Sequence, residues 1–434
     1  MKFRYGVDDV PPLGELVLFG LQWLAIAVPT IVIIGKVVAA LHFSDALDQV
    51  IYLQKLFFVT ASALLVQLLW GHRLPLIIGP ASVLLVFIVA IYASYMHAVY
   101  SSIFAGGIVL TTLSITGLFG YLKQLFTSRV VATILVLIAF TLTPTIMNLI
   151  ISSKAAGSPL LNLCFALVLI IFMFIANRYL AGIWKSTLII WTIIIGSILY
   201  LVIFPQYQWM GQASDFASIA TFTRNLDFNF TLDPGVLIAF LFCFLALSIN
   251  DLGSIQSVGA LTKPGDMPKR ISRGISFTGL ANALSGLLGV IGPVNFSLSP
   301  GVIASTGNAS RFTLIPAGLG LLILSFLPGV IAFIGGIPAV IIGTTLLYIL
   351  CSQISAGLMV LFSSMSEFKF ESGLVVGLPV MLSIIISFLP VDVLNTFPNL
   401  VRPILGNGFV VGVLTVLIME HIIFKEKVPA GNNA

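Results

Sequence analysis

Two short stretches hold the residues best suited to chemistry, and both lie in surroundings that should exclude them. NDLGS, Asn250 to Ser254, sets a carboxamide, a carboxylate and a hydroxyl inside a long apolar run. VIGPVNFSLSPGVIAS, Val290 to Ser305, gathers two prolines, two glycines, an asparagine and three serines in another. Asp251 is a carboxylate deep inside such a run, where a charge costs at least about 2.5–3.5 kcal/mol on membrane-insertion scales and so marks function by default. It is suited to binding a cation, carrying a proton or accepting hydrogen bonds from a substrate. The structural alternative is that it caps exposed N–H groups of a nearby half-helix. Asn295 and Ser297 either contact a ligand or satisfy neighbouring backbone. Ser254 and Gln256 extend a polar helix face, and Gln22, in the first apolar run, either reaches the same place or bonds across helices at modest gain.

The surroundings are those of a bilayer protein. Of 434 residues, 59% are hydrophobic and 8% charged, whereas soluble domains are about a quarter charged. Cys164, Cys243 and Cys351 all fall in apolar runs, where they act as small core residues and not as a disulfide framework. The net charge of +5 reports membrane orientation, not a nucleic-acid partner. No HExxH, Cys-rich metal set, Ser/His/Asp grouping or phosphate loop is present, so an enzyme is not indicated and no cofactor or metal is expected. His42, His72, His97 and His421 sit near span ends or loops, which argues against a His-based proton path. The polar leader MKFRYGVDDVPPLGE lacks the pattern of a cleaved signal, so the N-terminus is expected to be retained.

Twelve apolar runs suit spanning, from 14–35 to 404–424, each close to the length of about 20 residues that a bilayer requires. Two more, 74–93 and 291–308, are interrupted by IGP and suggest an extended piece leading into a short helix. Fourteen crossings are thus predicted in an all-α polytopic protein. With both termini cytoplasmic, fifteen Lys and Arg fall on inner segments and five on outer ones, as the positive-inside rule requires. The polar stretch 205–234 separates a first half, 1–204, from a second, 235–434. Seven crossings per half is an odd number, so the second half must run inverted. The basic loop Thr262 to Gly274 is expected among cytoplasmic lipid headgroups.

The two IGP triplets, starting at Ile78 and Ile291, are 213 residues apart and occupy the third crossing of each half. Interrupted helices at matching places of an inverted repeat point to a transporter's central site. Irregular backbone survives at membrane depth only where protein or a water-filled cavity covers it, so the two segments should meet inside the protein. Each half-helix beyond them presents unpaired N–H groups and the positive end of its dipole. Ser82 begins one; Ser297 to Ser299 with Pro300, suited to a first turn, begin the other.

At this level the chain resembles the nucleobase–ascorbate transporters, or nucleobase:cation symporter-2 family, which includes bacterial uracil and xanthine permeases. The similarity spans nearly the whole chain, from GVDDVPPLGELVLFGLQWLAIAVPT onward. NDLGS stands where the family has a pattern like E-x-x-G-[HD], and LSPGVIASTG, Leu298 to Gly307, stands where it has one like [QE]-N-x-G-x-x-x-x-T-[RKG]. Gly301, Thr306 and Gly307 match; Leu298 and Ser299 replace the polar pair, and Asn250 the Glu.

The resemblance implies fourteen segments as a 7+7 inverted repeat. Segments 1–4 and 8–11 would form a core domain and segments 5–7 and 12–14 a gate domain, with the substrate site between segments 3, 8 and 10. It also implies a homodimer in the plasma membrane. Asn250, Leu298 and Gln22 inherit substrate positions, and Tyr348 aligns loosely with an aromatic gate residue. If Gly253 anchors the alignment, Asn250 faces the substrate and Asp251 turns elsewhere, toward the tenth segment. Two functions follow: cation-coupled (Na+ or H+) transport of a nucleobase or similar heterocycle, or transport of a small anion held by the two helix N-termini.

Overall fold

The computed structural model describes residues 3–90, 96–120, 125–151, 158–206, 230–296, 298–363, 370–398 and 401–425. Long helices dominate, because in lipid each backbone N–H and C=O must be paired within its own segment. The first half contributes α1 (Leu13–His42), α2 (Ala46–Leu69), a strand β1 (Ile78–Pro80), α3 (Ser82–Ala90), α4 (Met96–Ile115), α5 (Ser128–Thr141), α6 (Thr143–Ile151), α7 (Pro159–Tyr179) and α8 (Leu188–Ile203). The second contributes α9 (Pro234–Thr262), α10 (Met267–Leu288), β2 (Pro293–Asn295), α11 (Ser299–Thr306), α12 (Ile315–Ser325), α13 (Pro328–Gly335), α14 (Ala339–Ser363), α15 (Phe370–Ser387) and α16 (Gly408–Ile418).

Among the described residues, eight helices are long and apolar enough to cross a membrane, or nine if a bent pair counts as one. The apolar runs therefore do not all become straight spans, and proline is the recurring cause. The run 312–333 bends by 95° between Ser325 and Pro328, where Pro328 has no N–H to continue the ladder. The run 130–150 breaks at Leu142, two residues before Pro144. The runs at 74–93 and 291–308 hold half-helices of nine and eight residues behind three-residue strands. At the end of the bent pair, the half-buried ammonium of Lys36 on α1 donates to the carbonyls of Gly335 and, at 2.8 Å, Ile337, satisfying acceptors that α13 leaves open.

The helices around the strands pack tightly. α4 lies along α10 so closely that a methyl group on Gly107 or Gly279 would strike the other helix's backbone, the small-residue contact that lets membrane helices approach without a hydrophobic drive. The leader also docks here. Tyr5 bridges Asn308 in parallel, Ala309 N–H donates to the Tyr5 carbonyl at 3.0 Å, and Asp8 pairs with Arg311 at 2.7 Å. Nothing in the leader's composition announces that it clamps the far end of α11. α7, α14 and α15 turn large apolar side chains outward, among them Val168, Met359, Phe370 and Met381, a surface suited to hydrocarbon.

Candidate substrate site

The two interrupted segments meet as an antiparallel pair. Ile78 lies opposite Asn295, Gly79 opposite Val294 and Pro80 opposite Pro293, and the next amide, Ala81 N–H, donates to Gly292 at 2.9 Å. All six strand residues are buried. Antiparallel pairing gives the extended backbone partners that no helix supplies. Gly79 is required because the Phe296 ring lies over its Cα where any Cβ would sit. α3 and α11 leave this crossing with their N-termini toward it, and Leu298 holds the cap position of α11.

Asp251, on α9, is fully buried and turns to β2. The backbone N–H and side-chain amide of Asn295 donate to its Oδ1 at 3.1 and 2.6 Å, and the Thr278 hydroxyl donates to its Oδ2 at 2.8 Å. These three partners are neutral donors, the arrangement an ionised, acceptor-only carboxylate takes. The network continues outward. Gln67 donates to Thr278 Oγ1 at 3.0 Å and to the Gly274 carbonyl at 2.7 Å. Leu74 N–H donates to His72 Nδ1 at 3.0 Å, so the ring's proton sits on Nε2, which donates to Asn295 Oδ1 at 3.0 Å. His72 does follow the end of α2, but it is fully buried there.

On the opposite side of α9 the surface is open. Asn250 is half-buried, while Gly253, Gln256 and Ser257 are exposed along one strip of a helix whose other faces are buried. Nothing lies within 4 Å of where a Cβ on Gly253 would be, and the same holds for Gly301 on α11, next to which α9 packs. Leu298 is exposed as well. A strip of Asn, Gly, Gln and Ser does not suit lipid, which makes it the candidate wall of a polar cleft between α9 and α11.

The other sequence-predicted residues separate into groups. Ser254 donates to the carbonyls of Asn250 and Asn295 at 2.9 and 3.0 Å. Ser299 accepts from Ile77 N–H at 3.1 Å and donates to the Phe296 carbonyl at 3.0 Å. Both hydroxyls, like Asn295, are engaged in the frame of the crossing. Ser82 is half-buried at the start of α3. Gln22 is buried on α1, which packs on β1 and α3, and its Nε2 has no partner among the described residues. Tyr348, on α14, is not brought to the crossing; its ring lies 5.4 Å from that of Phe174 on α7. Ser297 lies outside the described residues. Sequence reasoning missed His72, Gln67 and Thr278, whose only signal is a polar side chain at the edge of an apolar run.

Residues 14–392 match the model of the Permease family Xan_ur_permease. The chain belongs to that family. As a permease it is a transporter and not an enzyme. It is similar to the xanthine permease of Bacillus subtilis, 26% identical over 436 residues that cover 96% of this chain and 94% of the relative. It is likewise similar to the nucleobase transporter PlUacP of Paenibacillus larvae, 24% identical over 408 residues that cover 89% and 91%. Its fold is that of the transmembrane domain of a cyanobacterial bicarbonate transporter, BicA, with a TM-score of 0.59, 15% identity, and coverage of 86% of this chain and 96% of that one.

Proposed function

We propose that this permease is a secondary transporter of a nucleobase such as xanthine or uracil, or a closely related heterocycle. The observation that carries this is the open polar strip at Asn250, Gly253 and Gln256 beside the half-helix α11; on α1, which packs on β1 and α3, the buried Gln22 amide has no partner among the described residues. Carboxamides both donate and accept, which suits the edge of a neutral base. The names of the similar permeases of Bacillus subtilis and Paenibacillus larvae agree with it. Gln22 and Asn250 would hold the base, with Ser82, Ser297, Leu298 and the first-turn amides of α3 and α11 closing the site. Ser254, Asn295 and Ser299 would act by shaping it, and Tyr348 would line the path as the gate moves.

Counting β1–α3, β2–α11 and each bent or broken run as one segment, the reading is fourteen segments in two inverted repeats of seven. Segments 1–4 and 8–11 form a core, and segments 5–7 and 12–14 a gate that rocks against it. The assembly is a homodimer in the plasma membrane with cytoplasmic termini. Coupling runs through Asp251, a buried carboxylate with neutral partners, by Na+ or H+.

The test is uptake of radiolabelled xanthine and uracil into proteoliposomes under an imposed Na+ or pH gradient, with bicarbonate and succinate as competitors. Saturable base uptake that neither anion inhibits is expected. Uptake of the anions without uptake of either base would overturn the proposal in favour of an anion carrier.

A further inference from the structure

A second polar-aromatic space lies away from the α9–α11 cleft. It is a cavity of about 330 Å³, within the size range of ligand pockets. It is a partly open cavity bounded by the N-terminal parts of α2 and α4, the residue after α1 and the end of α10, at the end of the protein where α1 finishes. Phe43, Tyr52, Tyr100 and Phe104 supply aromatic walls, and Asp48 and Lys55 supply one carboxylate and one ammonium that interact with each other. Such a lining offers flat π-faces together with one strong acceptor and one strong donor of opposite charge. A small anion would meet Asp48 and a cation would meet Lys55. A neutral planar heterocycle with donors and acceptors on its edges satisfies both and stacks on the rings.

The cavity wall is joined to the crossing. Ile291 N–H, in the second IGP triplet, donates to Tyr52 Oη at 3.0 Å. Tyr52 and Tyr100 line the same cavity, and Tyr100 Oη lies 2.9 Å from His42 Nδ1. A molecule held against Tyr52 and Tyr100 therefore touches the residues that position the strand entering the central site. Building on base transport at that site, we propose that this cavity is a second binding site for a neutral purine-type heterocycle. It is separate from the cleft at Asn250 and is loaded from the face where α1 ends.

The experiment uses full-length protein in lipid nanodiscs with Cys164, Cys243 and Cys351 replaced by Ala and the cavity-lining, half-buried Met96 replaced by Cys. The rate of alkylation by N-ethylmaleimide is measured with and without xanthine, and with benzoate as an anion control. Xanthine is expected to slow alkylation at least fivefold and benzoate to leave it unchanged. The protection should persist when Asn250→Ala has lowered uptake tenfold or more, and should need at least tenfold more xanthine in Phe104→Ala. Normal xanthine uptake with no protection of Met96→Cys overturns the second site and leaves the transport proposal intact. Protection that disappears with Asn250→Ala also overturns it, since the effect then comes from the central site. Absence of both uptake and protection overturns both.

Discussion

Asp251 Oδ1 and Asn295 Nδ2 are 2.6 Å apart, and the same oxygen takes the backbone N–H of Asn295. One carboxylate on an unbroken helix thus holds both the main chain and the side chain of the strand that crosses the protein's centre. Asp251→Ala strands three buried donors, the Asn295 N–H, the Asn295 side-chain amide and the Thr278 hydroxyl, at about 1–3 kcal/mol each, whereas Asp251→Asn keeps an acceptor in place and loses less. Thermal unfolding of the purified proteins should rank them wild type, Asn, then Ala; equal midpoints would show that the network does not hold the strand.

The same carboxylate gives a test of coupling. If Asp251 takes the driving ion, Na+ or a lowered pH raises the midpoint of wild-type protein measured with xanthine present, and the increment is absent in Asp251→Asn. An unchanged increment in that variant assigns the ion to another group.

Among the described residues the Gln22 Nε2 has no partner and Asn250 lies on the open strip of α9, whereas Ser254 and Ser299 are bonded within the frame. Gln22→Ala and Asn250→Ala should each lower xanthine uptake about tenfold or more, the effect of losing about 1.4 kcal/mol of binding, while the unfolding midpoint stays within a few degrees of wild type. Ser299→Ala should show the reverse pattern, a lower midpoint with residual uptake in proportion to folded protein.

Gly79 faces the Phe296 ring with no room for a Cβ. Gly79→Ala should cost about 1–3 kcal/mol by overpacking, and pairing it with Phe296→Leu should recover part of that loss. A double-mutant cycle on unfolding midpoints measures the coupling; simple additivity would place the strain elsewhere.

Lys36 reaches from α1 to the open carbonyls at the end of α13. Lys36→Met preserves the aliphatic stem but leaves those carbonyls without their donor, so stability should fall by about 1–3 kcal/mol. Lys36→Arg should retain most of it. Chemical denaturation in a fixed detergent would report both.

Much of this was legible in the chain because it depends on local composition. Apolar runs of about 20 residues had to become helices in lipid, and an IGP triplet had to interrupt one. Ser82 and Ser299 therefore begin half-helices where the residues said they would. That the two interrupted segments meet inside the protein followed from their matching places in two halves, whereas their antiparallel register did not. The bend before Pro328 was less legible, since hydropathy measures how apolar a run is and not its direction.

What the sequence determined by itself was a helical membrane protein with two broken elements, a polar pair at Asn250 and Asp251, and a resemblance to base permeases. Only the tertiary structure decided which member of that pair looks into the cleft and which is locked away. Adjacent residues on a helix differ by about 100° in direction, so the choice between them rests on where Asn295, 44 residues further on, comes to lie. His72, 223 residues before Asn295, became part of the same network for the same reason. Hydrogen bonds between distant segments are set by how whole helices pack, and no local pattern encodes that.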